Sequence, residues 1–332
     1  MKLDICSLGN AIVDIQFSIT NEFEEELNNL KISKGSMTLV EQYQQDSMIT
    51  KLLKRHGKPL MACGGSATNS IMAATNFGSK CHVACKVSND KHGSFFLEDL
   101  TTNRIDHSVI ATNSKISTGR CLVMVSEDAE RTMCTYLGIS NELANEDIDV
   151  KAIQASKYLF IEGYLAASTS ALEACHKAIK VAKKSNTKVA ISLSAVFIAD
   201  SFKTELQGLI DLGCDLLLCN ESEAMAFTDE DDVEQAIKYL GQVSDQILIT
   251  MGPEGCMGFR EQETFFVRGV KVKAIDTNGA GDMFAGAVLH LLSEGESLEI
   301  AAKFGCFAAS KKVENYGPRL PSKEYKKIKL EF

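Results

Sequence analysis

Short apolar runs alternate with helix-period stretches along most of this 332-residue chain. The runs are typical of strands buried on both faces, whereas the intervening stretches repeat apolar residues every three to four positions. This alternation predicts a mostly parallel sheet covered by helices on both faces, with ligands at the carboxyl ends of its strands. The predicted strands are Leu3–Leu8, Cys81–Val87, Tyr158–Glu162, Lys188–Leu193, Asp215–Cys219 and Gln246–Thr250. The predicted helices are Ala67–Asn76, Ser168–Lys184, Val233–Leu240, Asp282–Leu292 and Leu298–Val313.

Two regions depart from this pattern. Residues 11–40 and 107–138 alternate apolar and polar side chains and lack long helical stretches. Strict alternation is typical of strands with one buried face. We predict that the two regions form a small, discontinuous β-sheet that folds over the ligand site as a lid.

Composition and charge narrow the class of protein. The formal net charge is −9, and the 35 basic residues are scattered along the chain, which argues against a nucleic-acid partner. The eleven cysteines include no CxxC pair and fall mostly in apolar runs, so reduced buried thiols are expected. Asp4 and Asp14 interrupt the first apolar stretch, and no apolar run reaches membrane-spanning length. These features predict a soluble, cytoplasmic protein.

The segment from Gly279 to Asp282 carries the most chemical information. Gly279, Ala280 and Gly281 allow a tight turn before a predicted helix, so free N–H groups at the helix start would point outward and bind an anion. A carboxylate such as Asp282, beside a transferring phosphoryl group, could accept the proton of an attacking hydroxyl. Taken alone, the segment fits equally well a plain turn with Asp282 as the helix N-cap.

Two further segments could hold a polar acceptor. Gly64 and Gly65 precede a predicted Ala-rich helix that carries Asn69, although a glycine pair at such a place is more often a plain loop. Asn10 and Asp14 follow the first predicted strand, where a carboxylate can bridge two adjacent sugar hydroxyls. Asp14 alone is explained as well by a solvent-facing position on an edge strand.

Two strand ends could serve a nucleotide. Asn220 and Glu223 follow a predicted strand and could hold hydrated Mg²⁺, which proteins bind through few ligands and several waters. The pair could instead simply begin a helix. Thr250, Gly252 and Gly255 end another predicted strand with glycines that allow close approach of a nucleotide, although a plain loop accounts for them equally.

Missing motifs exclude several enzyme classes. The sequence has no GxxxxGK[ST] phosphate loop, no HExxH and no GxSxG, and its six histidines are dispersed. Its glycine-rich elements do not form GxGxxG between a first strand and helix, which argues against a dehydrogenase.

Three segments, in their order along the chain, resemble the PfkB/ribokinase family of carbohydrate and nucleoside kinases. They are Gly-Gly-Ser-Ala-Thr-Asn from residue 64, Asn-Glu-Ser-Glu from residue 220 and the highly specific Asp-Thr-Asn-Gly-Ala-Gly-Asp from residue 276. The resemblance extends over essentially the whole chain. It implies one kinase domain over residues 1–332 with an α/β, ribokinase-like fold: a doubly wound, mostly parallel central sheet with helices on both faces, plus a small β-sheet lid.

The resemblance also implies a role for each candidate residue. Asp282 would be the catalytic base, and an anion hole would be formed by Gly279, Ala280 and Gly281. The acceptor hydroxyls would be held by Asn10, Asp14, Gly64, Gly65 and Asn69. Mg²⁺-ATP would be served by Asn220 and by Glu223, the latter toward the metal through water. The nucleotide site would be lined by Thr250, Gly252 and Gly255.

Within the family, the chain resembles adenosine kinases more than ribokinases. The resemblance lies in Gly-Gly-Ser-x-x-Asn and in the run Ile191–Ile198. It also includes Arg131, a substrate-binding candidate whose counterpart projects from the lid toward the phosphates. The chain has no tryptophan, which leaves as candidates for stacking on a nucleobase Phe17, Tyr164 and Phe197.

Three hypotheses about function follow. The leading one is ATP-dependent phosphorylation of a primary hydroxyl of a ribose-type acceptor, with adenosine giving AMP, Mg²⁺ required, and a need for a monovalent cation such as K⁺ left open. The second is a PfkB sugar kinase for ribose, fructose or a related ketose. The third is a non-catalytic nucleoside- or sugar-binding regulator, which would require loss of the base or the anion hole. The sequence leaves open whether the protein is a monomer or a homodimer.

Overall fold

The computed structural model describes residues 2–20, 23, 26, 27, 29, 30, 32–128 and 130–332. The strands are β1 (Leu3–Leu8), β2 (Ile12–Ser18), β3 (Met37–Leu39), β4 (Leu60–Gly64), β5 (Cys81–Ala84), β6 (Asp106–His107), β7 (Gly119–Val125), β8 (Arg131–Tyr136), β9 (Ser156–Glu162), β10 (Lys188–Ser192), β11 (Leu216–Asn220), β12 (Gln246–Thr250), β13 (Gly255–Arg260) and β14 (Glu263–Arg268). The helices that bear on the argument are α1 (Gln42–His56), α2 (Ser66–Phe77), α3 (Lys91–Thr102), α4 (Val150–Ala155), α5 (Thr169–Lys184), α6 (Val196–Ser201), α7 (Lys203–Asp211), α8 (Glu221–Thr228), α9 (Val233–Leu240), α10 (Ala280–Glu294), α11 (Leu298–Val313) and α12 (Ser322–Glu331).

The large sheet has nine strands in the order β14-β13-β12-β11-β10-β9-β1-β5-β6. Its strands from β12 to β6 run parallel, and β13 and β14 extend one edge in antiparallel pairing. Successive side chains of β9 point to opposite faces. Leu159 and Ile161 pack in one hydrophobic core with α5, while Tyr158 and Phe160 pack in another with α2 and α10. Helices therefore cover both faces, and the predicted α/β architecture is confirmed.

A separate five-stranded sheet, which we call the small sheet, has the order β3-β8-β7-β2-β4. On one face, Ile15 and Phe17 of β2 pack against Met48 and Leu52 of α1. The opposite face of β2 carries Asp14, next to residues of β7. The alternating pattern of β2 therefore gives the small sheet one apolar, helix-covered face and one face with a carboxylate.

The sequence located part of the small sheet. Its strand β4 lies outside the two predicted ranges, because β4 is an edge strand with Leu60 and Met61 largely exposed and shows no alternation. His107, at the start of the second range, belongs instead to an edge strand of the large sheet. Short edge strands carry too few buried side chains to produce a periodic signal.

Other predictions concern the core and the surroundings of the chain. Each of the eleven cysteines is a buried free thiol, as predicted. Among the described residues, no helix combines the length and the apolar character that crossing a membrane requires.

Candidate active site

The candidate active site is built around the start of α10. The helix begins at Ala280, two residues before the predicted start, because Gly279 is its N-cap with φ 75°. This left-handed conformation favours glycine, and a Cβ on Gly279 would lie 2.3 Å from the carbonyl oxygen of Pro318. The tight turn places Asp282 in the first helical turn.

The amides of this turn differ in their hydrogen bonding. Among the described residues, the N–H groups of Gly279, Gly281 and Asp282 have no acceptor, whereas Ala280 N–H donates to the Thr277 carbonyl oxygen at 3.1 Å. The structure therefore differs from the sequence prediction at Ala280, whose amide closes the turn. The free amides lie at the positive end of the helix dipole, where an anion is favoured.

Two residues of α2 hold the carboxylate of Asp282. Ser66 Oγ donates to Oδ1 at 2.7 Å, and Asn69 Nδ2 donates to Oδ2 at 2.9 Å. Burial raises the pKa of Asp282, while these two hydrogen bonds act in the opposite direction. The carboxylate is therefore oriented and more basic than an exposed aspartate, as a general base requires.

Asn69 is engaged at both ends of its amide. Its Oδ1 accepts a hydrogen bond from Arg319 Nε at 2.7 Å, and Arg319 Nη1 donates to Asp99 Oδ2 at 2.6 Å. Asn69 thus links Arg319 to Asp282, and its amide keeps one Nδ2 hydrogen and one Oδ1 lone pair for a further partner. Sequence reasoning missed Ser66 and Arg319, because their partners lie 216 and 250 residues away along the chain.

Asp14 lies on β2 of the small sheet. Its carboxylate has no hydrogen-bond partner among the described residues. Burial raises its pKa to about 7, against the opposing effect of the positive charges of Arg319 and Arg131. A Cβ on Gly64 would lie 2.6 Å from Asp14 Oδ1, so the glycine permits the close approach of β2 and β4. The Asp14 side chain is half-buried, and hydroxyl groups of a ligand would supply hydrogen-bond donors to its carboxylate.

Asn10 contacts a buried carboxylate rather than open space. Its N–H and Nδ2 donate to Glu162 Oε1 at 2.7 and 2.8 Å, and Ala67 N–H donates to Oε2 at 2.7 Å. Gly65 is the N-cap residue of α2, two positions before Ala67. Glu162 therefore links the loop after β1 to the start of α2 by hydrogen bonds. In this structure the Asn10 side chain is part of that link.

Asn220 and Glu223 form a capping box at the start of α8. Glu223 Oε1 and Oε2 accept from the side chain and backbone N–H of Asn220 at 2.8 and 3.1 Å, and Glu223 N–H donates to Asn220 Oδ1 at 2.8 Å. Burial raises the pKa of Glu223 to about 7. Each carboxylate oxygen keeps a second lone pair, so this buried oxygen donor fits Mg²⁺, a hard cation.

A pocket of about 90 Å³ joins these segments. It is lined by residues from α2, from the ends of three neighbouring parallel strands, from α8 and from the start of α10, including Ser66, Ser192, Glu223, Thr250, Gly281 and Asp282. The structure thus brings together the predicted base, the predicted magnesium residues Asn220 and Glu223, and Thr250 at the carboxyl end of the large sheet.

The remaining candidates lie at different distances from this pocket. Gly252 begins a 3₁₀ turn with open space around it, whereas Gly255 is buried at the start of β13 and pairs with Arg268. Phe17 lies in the core between the small sheet and α1 and cannot stack on a ligand, so that prediction is wrong. The rings of the other two stacking candidates contact each other, with centroids 6.1 Å apart: Tyr164 and Phe197.

Arg131 reaches from the small sheet to the large one. Its Nη2 lies 2.5 Å from Asp276 Oδ2, and both side chains are largely buried. Asp276 also accepts hydrogen bonds from the N–H groups of Asn278 and Gly317 at 3.0 and 2.7 Å. Arg131 therefore lies beside the loop that leads to the turn at Gly279, with its charge paired to a carboxylate.

Comparisons with known proteins show which family the chain is similar to. The model of the pfkB family of carbohydrate kinases matches residues 29–324. The chain is 27% identical to an adenosine kinase of Saccharomyces cerevisiae over 98% of each chain, and 27% identical to a ribokinase of Haemophilus influenzae over 77% of this chain and 83% of the relative. A solved adenosine kinase of Sinorhizobium meliloti matches at a TM-score of 0.92 and 29% identity, covering both chains in full.

The chain therefore belongs to the pfkB family of carbohydrate kinases. It is a phosphotransferase with an alcohol group as acceptor, as its named relatives are. Membership of this kinase family implies ATP as phosphoryl donor, usually with Mg²⁺.

Proposed function

We propose that the protein transfers the γ-phosphate of ATP to the primary hydroxyl of adenosine, giving AMP. The observation that carries this proposal is the composition of one face of the small sheet. Asp14 lies beside Cys121 on that face, where the buried Ile12, Cys121 and Val123 form an apolar cluster with the partly exposed Met133 and Leu137. A carboxylate suits the hydroxyls of a ribose, and an apolar surface suits the flat face of a base. A free sugar would place hydroxyls against the cluster.

The chemistry rests on Asp282 and the free amides. The acceptor oxygen attacks the γ-phosphorus, its proton passes to the Asp282 carboxylate, and the bond from the γ-phosphorus to the bridging oxygen breaks to release ADP. The unpaired N–H groups of Gly279, Gly281 and Asp282 would donate to the phosphoryl oxygens, where negative charge must be stabilised. Ser66 and Asn69 keep the carboxylate in one orientation throughout.

Glu223 and Asn220 would hold Mg²⁺ with its bound waters. The metal supplies positive charge to the phosphate oxygens. Glu223 is the carboxylate that shares a pocket with Asp282 and Gly281, and its raised pKa reflects a buried negative charge that a cation would stabilise.

The small sheet acts as a lid in this proposal. Arg131, which it carries, already contacts the large sheet's side of the cleft through Asp276. Closure over the acceptor would exclude water, which would otherwise compete with the acceptor hydroxyl for the phosphoryl group.

A sugar kinase is the second candidate, because the Haemophilus influenzae ribokinase is as similar in identity as the yeast adenosine kinase. An assay of ADP release against adenosine, other nucleosides, ribose and fructose separates the two, with AMP identified by chromatography. We expect kcat/KM for adenosine to exceed that for ribose by at least about tenfold, since burying a base on apolar surface is worth more than 1.4 kcal/mol. Faster turnover of a free sugar would favour the sugar kinase.

A further inference from the structure

Lys312, in the last turn of α11, is a fully buried lysine that the chemistry above does not use. Its Nζ donates to the carbonyl oxygens of Asp276 and Asn315 at 2.8 and 3.3 Å, and Asp276 Oδ2 lies 3.9 Å away. Lysine is rarely buried in full unless its charge is paired. The ammonium group is thus enclosed by two backbone carbonyls and one carboxylate.

This enclosure belongs to the loop that leads into the anion-binding turn. The N–H groups of Ile275 and Asp276 donate to the Val313 carbonyl oxygen at 2.7 and 3.0 Å. These hydrogen bonds hold the loop at Asp276, six residues before Asp282, against the end of α11. The bond from Lys312 to the Asp276 carbonyl oxygen is part of the same contact. The charge of Lys312 also lies close enough to Asp282 for each group to shift the pKa of the other.

We infer that the ammonium of Lys312 is a built-in monovalent cation, which occupies a cage of carbonyl and carboxylate oxygens beside the anion hole, so that phosphoryl transfer needs no free K⁺. Backbone carbonyl oxygens are the ligands by which proteins replace the hydration shell of K⁺. An ammonium offers the same single charge and three donors to such oxygens. A second cation in the cage would be repelled by the first.

The charges around Lys312 agree with this role. Asp276, Asp282 and Arg131 act on it: the two carboxylates favour the charged amine and the guanidinium opposes it. Burial lowers the pKa of Lys312 to about 8, so the amine is still mostly protonated at neutral pH. In return, its charge lowers the pKa of Asp282. A fixed positive charge in a buried site stabilises developing negative charge without reorganisation.

The competing explanation is purely structural. A lysine in the last turn of a helix can hydrogen-bond the terminal carbonyls and interact favourably with the helix dipole. That role would make Lys312 matter for folding alone, and a variant without the lysine would then not be restored by monovalent cations. The two explanations are separated by exchanging cations.

The first experiment uses the unaltered protein. ADP release is measured in tetramethylammonium buffer at constant ionic strength while KCl or NaCl replaces tetramethylammonium chloride. We expect less than about twofold change, because Lys312 already supplies the charge. Activation by K⁺ of about tenfold or more would overturn the inference, because a free cation would then be required.

The second experiment opens the cage with Lys312→Ala. We expect kcat to fall by about 10²-fold, the size of a lost electrostatic contact at a developing charge, and to recover partly with K⁺ or NH₄⁺ but not with tetramethylammonium. Lys303→Ala is the matched control, since Lys303 lies on the same helix and pairs with Glu299 at the surface. Full activity of Lys312→Ala, or a folded variant that neither K⁺ nor NH₄⁺ restores, would overturn the inference.

A third measurement needs no acceptor. Although the inference rests on the proposed anion hole, thermal unfolding without substrates tests the cage alone. K⁺ should raise the Tm of Lys312→Ala relative to tetramethylammonium and leave the unaltered protein and Lys303→Ala unchanged. A K⁺-dependent Tm of the unaltered protein would contradict it, and that result also decides the matter if Lys312→Ala does not fold. Failure of adenosine as acceptor would leave this test unaffected.

Discussion

Asn69 joins Asp282 to Arg319: its Nδ2 donates to the aspartate and its Oδ1 accepts from the guanidinium. A guanidinium only donates hydrogen bonds, so Arg319 fixes which end of the Asn69 amide carries oxygen. The Nδ2 donor is thereby directed at the Asp282 carboxylate. The orientation of Asp282 thus depends on Arg319, a residue of the loop after α11 that lies outside the Gly279–Asp282 segment.

Arg319→Met should slow catalysis and shift its pH dependence. The Asn69 amide would be free to rotate, and we expect kcat to fall by about tenfold or more through misplacement of the base. The positive charge of Arg319 lowers the pKa of Asp282, so its removal raises that pKa. The base must be ionised, and the acid limb of the kcat/KM profile should therefore move to higher pH.

An unchanged profile with reduced Tm would show a merely structural role. Thr101→Val, an exposed substitution near Asp99, is a suitable control.

Asp282→Asn tests the base directly. Removing general-base catalysis should lower kcat by at least about 10²–10⁴-fold, while the amides that bind phosphate remain. ATP binding, measured by calorimetry, should therefore persist. Near-normal turnover of this variant would refute the assignment of Asp282 as the base.

Arg131 and Asp276 should be coupled in catalysis. Their contact joins the small sheet to the loop before Gly279, and both side chains are largely buried. Arg131→Ala should lower kcat/KM by about tenfold or more, and Asp276→Asn should leave the buried charges of Arg131 and Lys312 without their carboxylate. A double-mutant cycle on kcat/KM measures the coupling, which we expect to exceed about 0.5 kcal/mol. Strictly additive effects would mean that the contact does not assist closure.

The elements that the sequence predicted correctly are those whose structure is determined by residues that are neighbours along the chain. The strands β1 and β12 and the helices α9 and α11 have the predicted bounds, because continuous apolar runs or a clear helical period end at polar residues or glycine. The turn at Gly279 was predicted because small residues in succession allow few other conformations. These signals depend on neighbouring residues, and no knowledge of tertiary contacts was needed.

The partners of the candidate site residues could not be predicted in the same way. Arg319, Glu162 and Lys312 each act on a segment far away in sequence, and each is an isolated charged residue in a chain that has many. The bond from the Ala280 amide to Thr277 depends on backbone angles that the residue types permit without dictating. Such contacts arise from the crossover connections of the sheet, which bring strand ends together only after folding.

Glu162→Gln should change how stability depends on pH. Burial raises the pKa of Glu162 to about 7, so the folded state holds its proton more tightly than the unfolded state. Stability from this group is present at low pH and is lost as the pH rises through about 7, with a slope of up to about 1.4 kcal/mol per pH unit. Glutamine cannot ionise, although its NH₂ would face an N–H donor, so the variant should be less stable than the unaltered protein at pH 5.

Urea unfolding at pH 5 and pH 8 should show this difference narrowing at the higher pH. A difference that is constant or widens would mean that Glu162 is ionised throughout, held by the three N–H groups of Asn10 and Ala67.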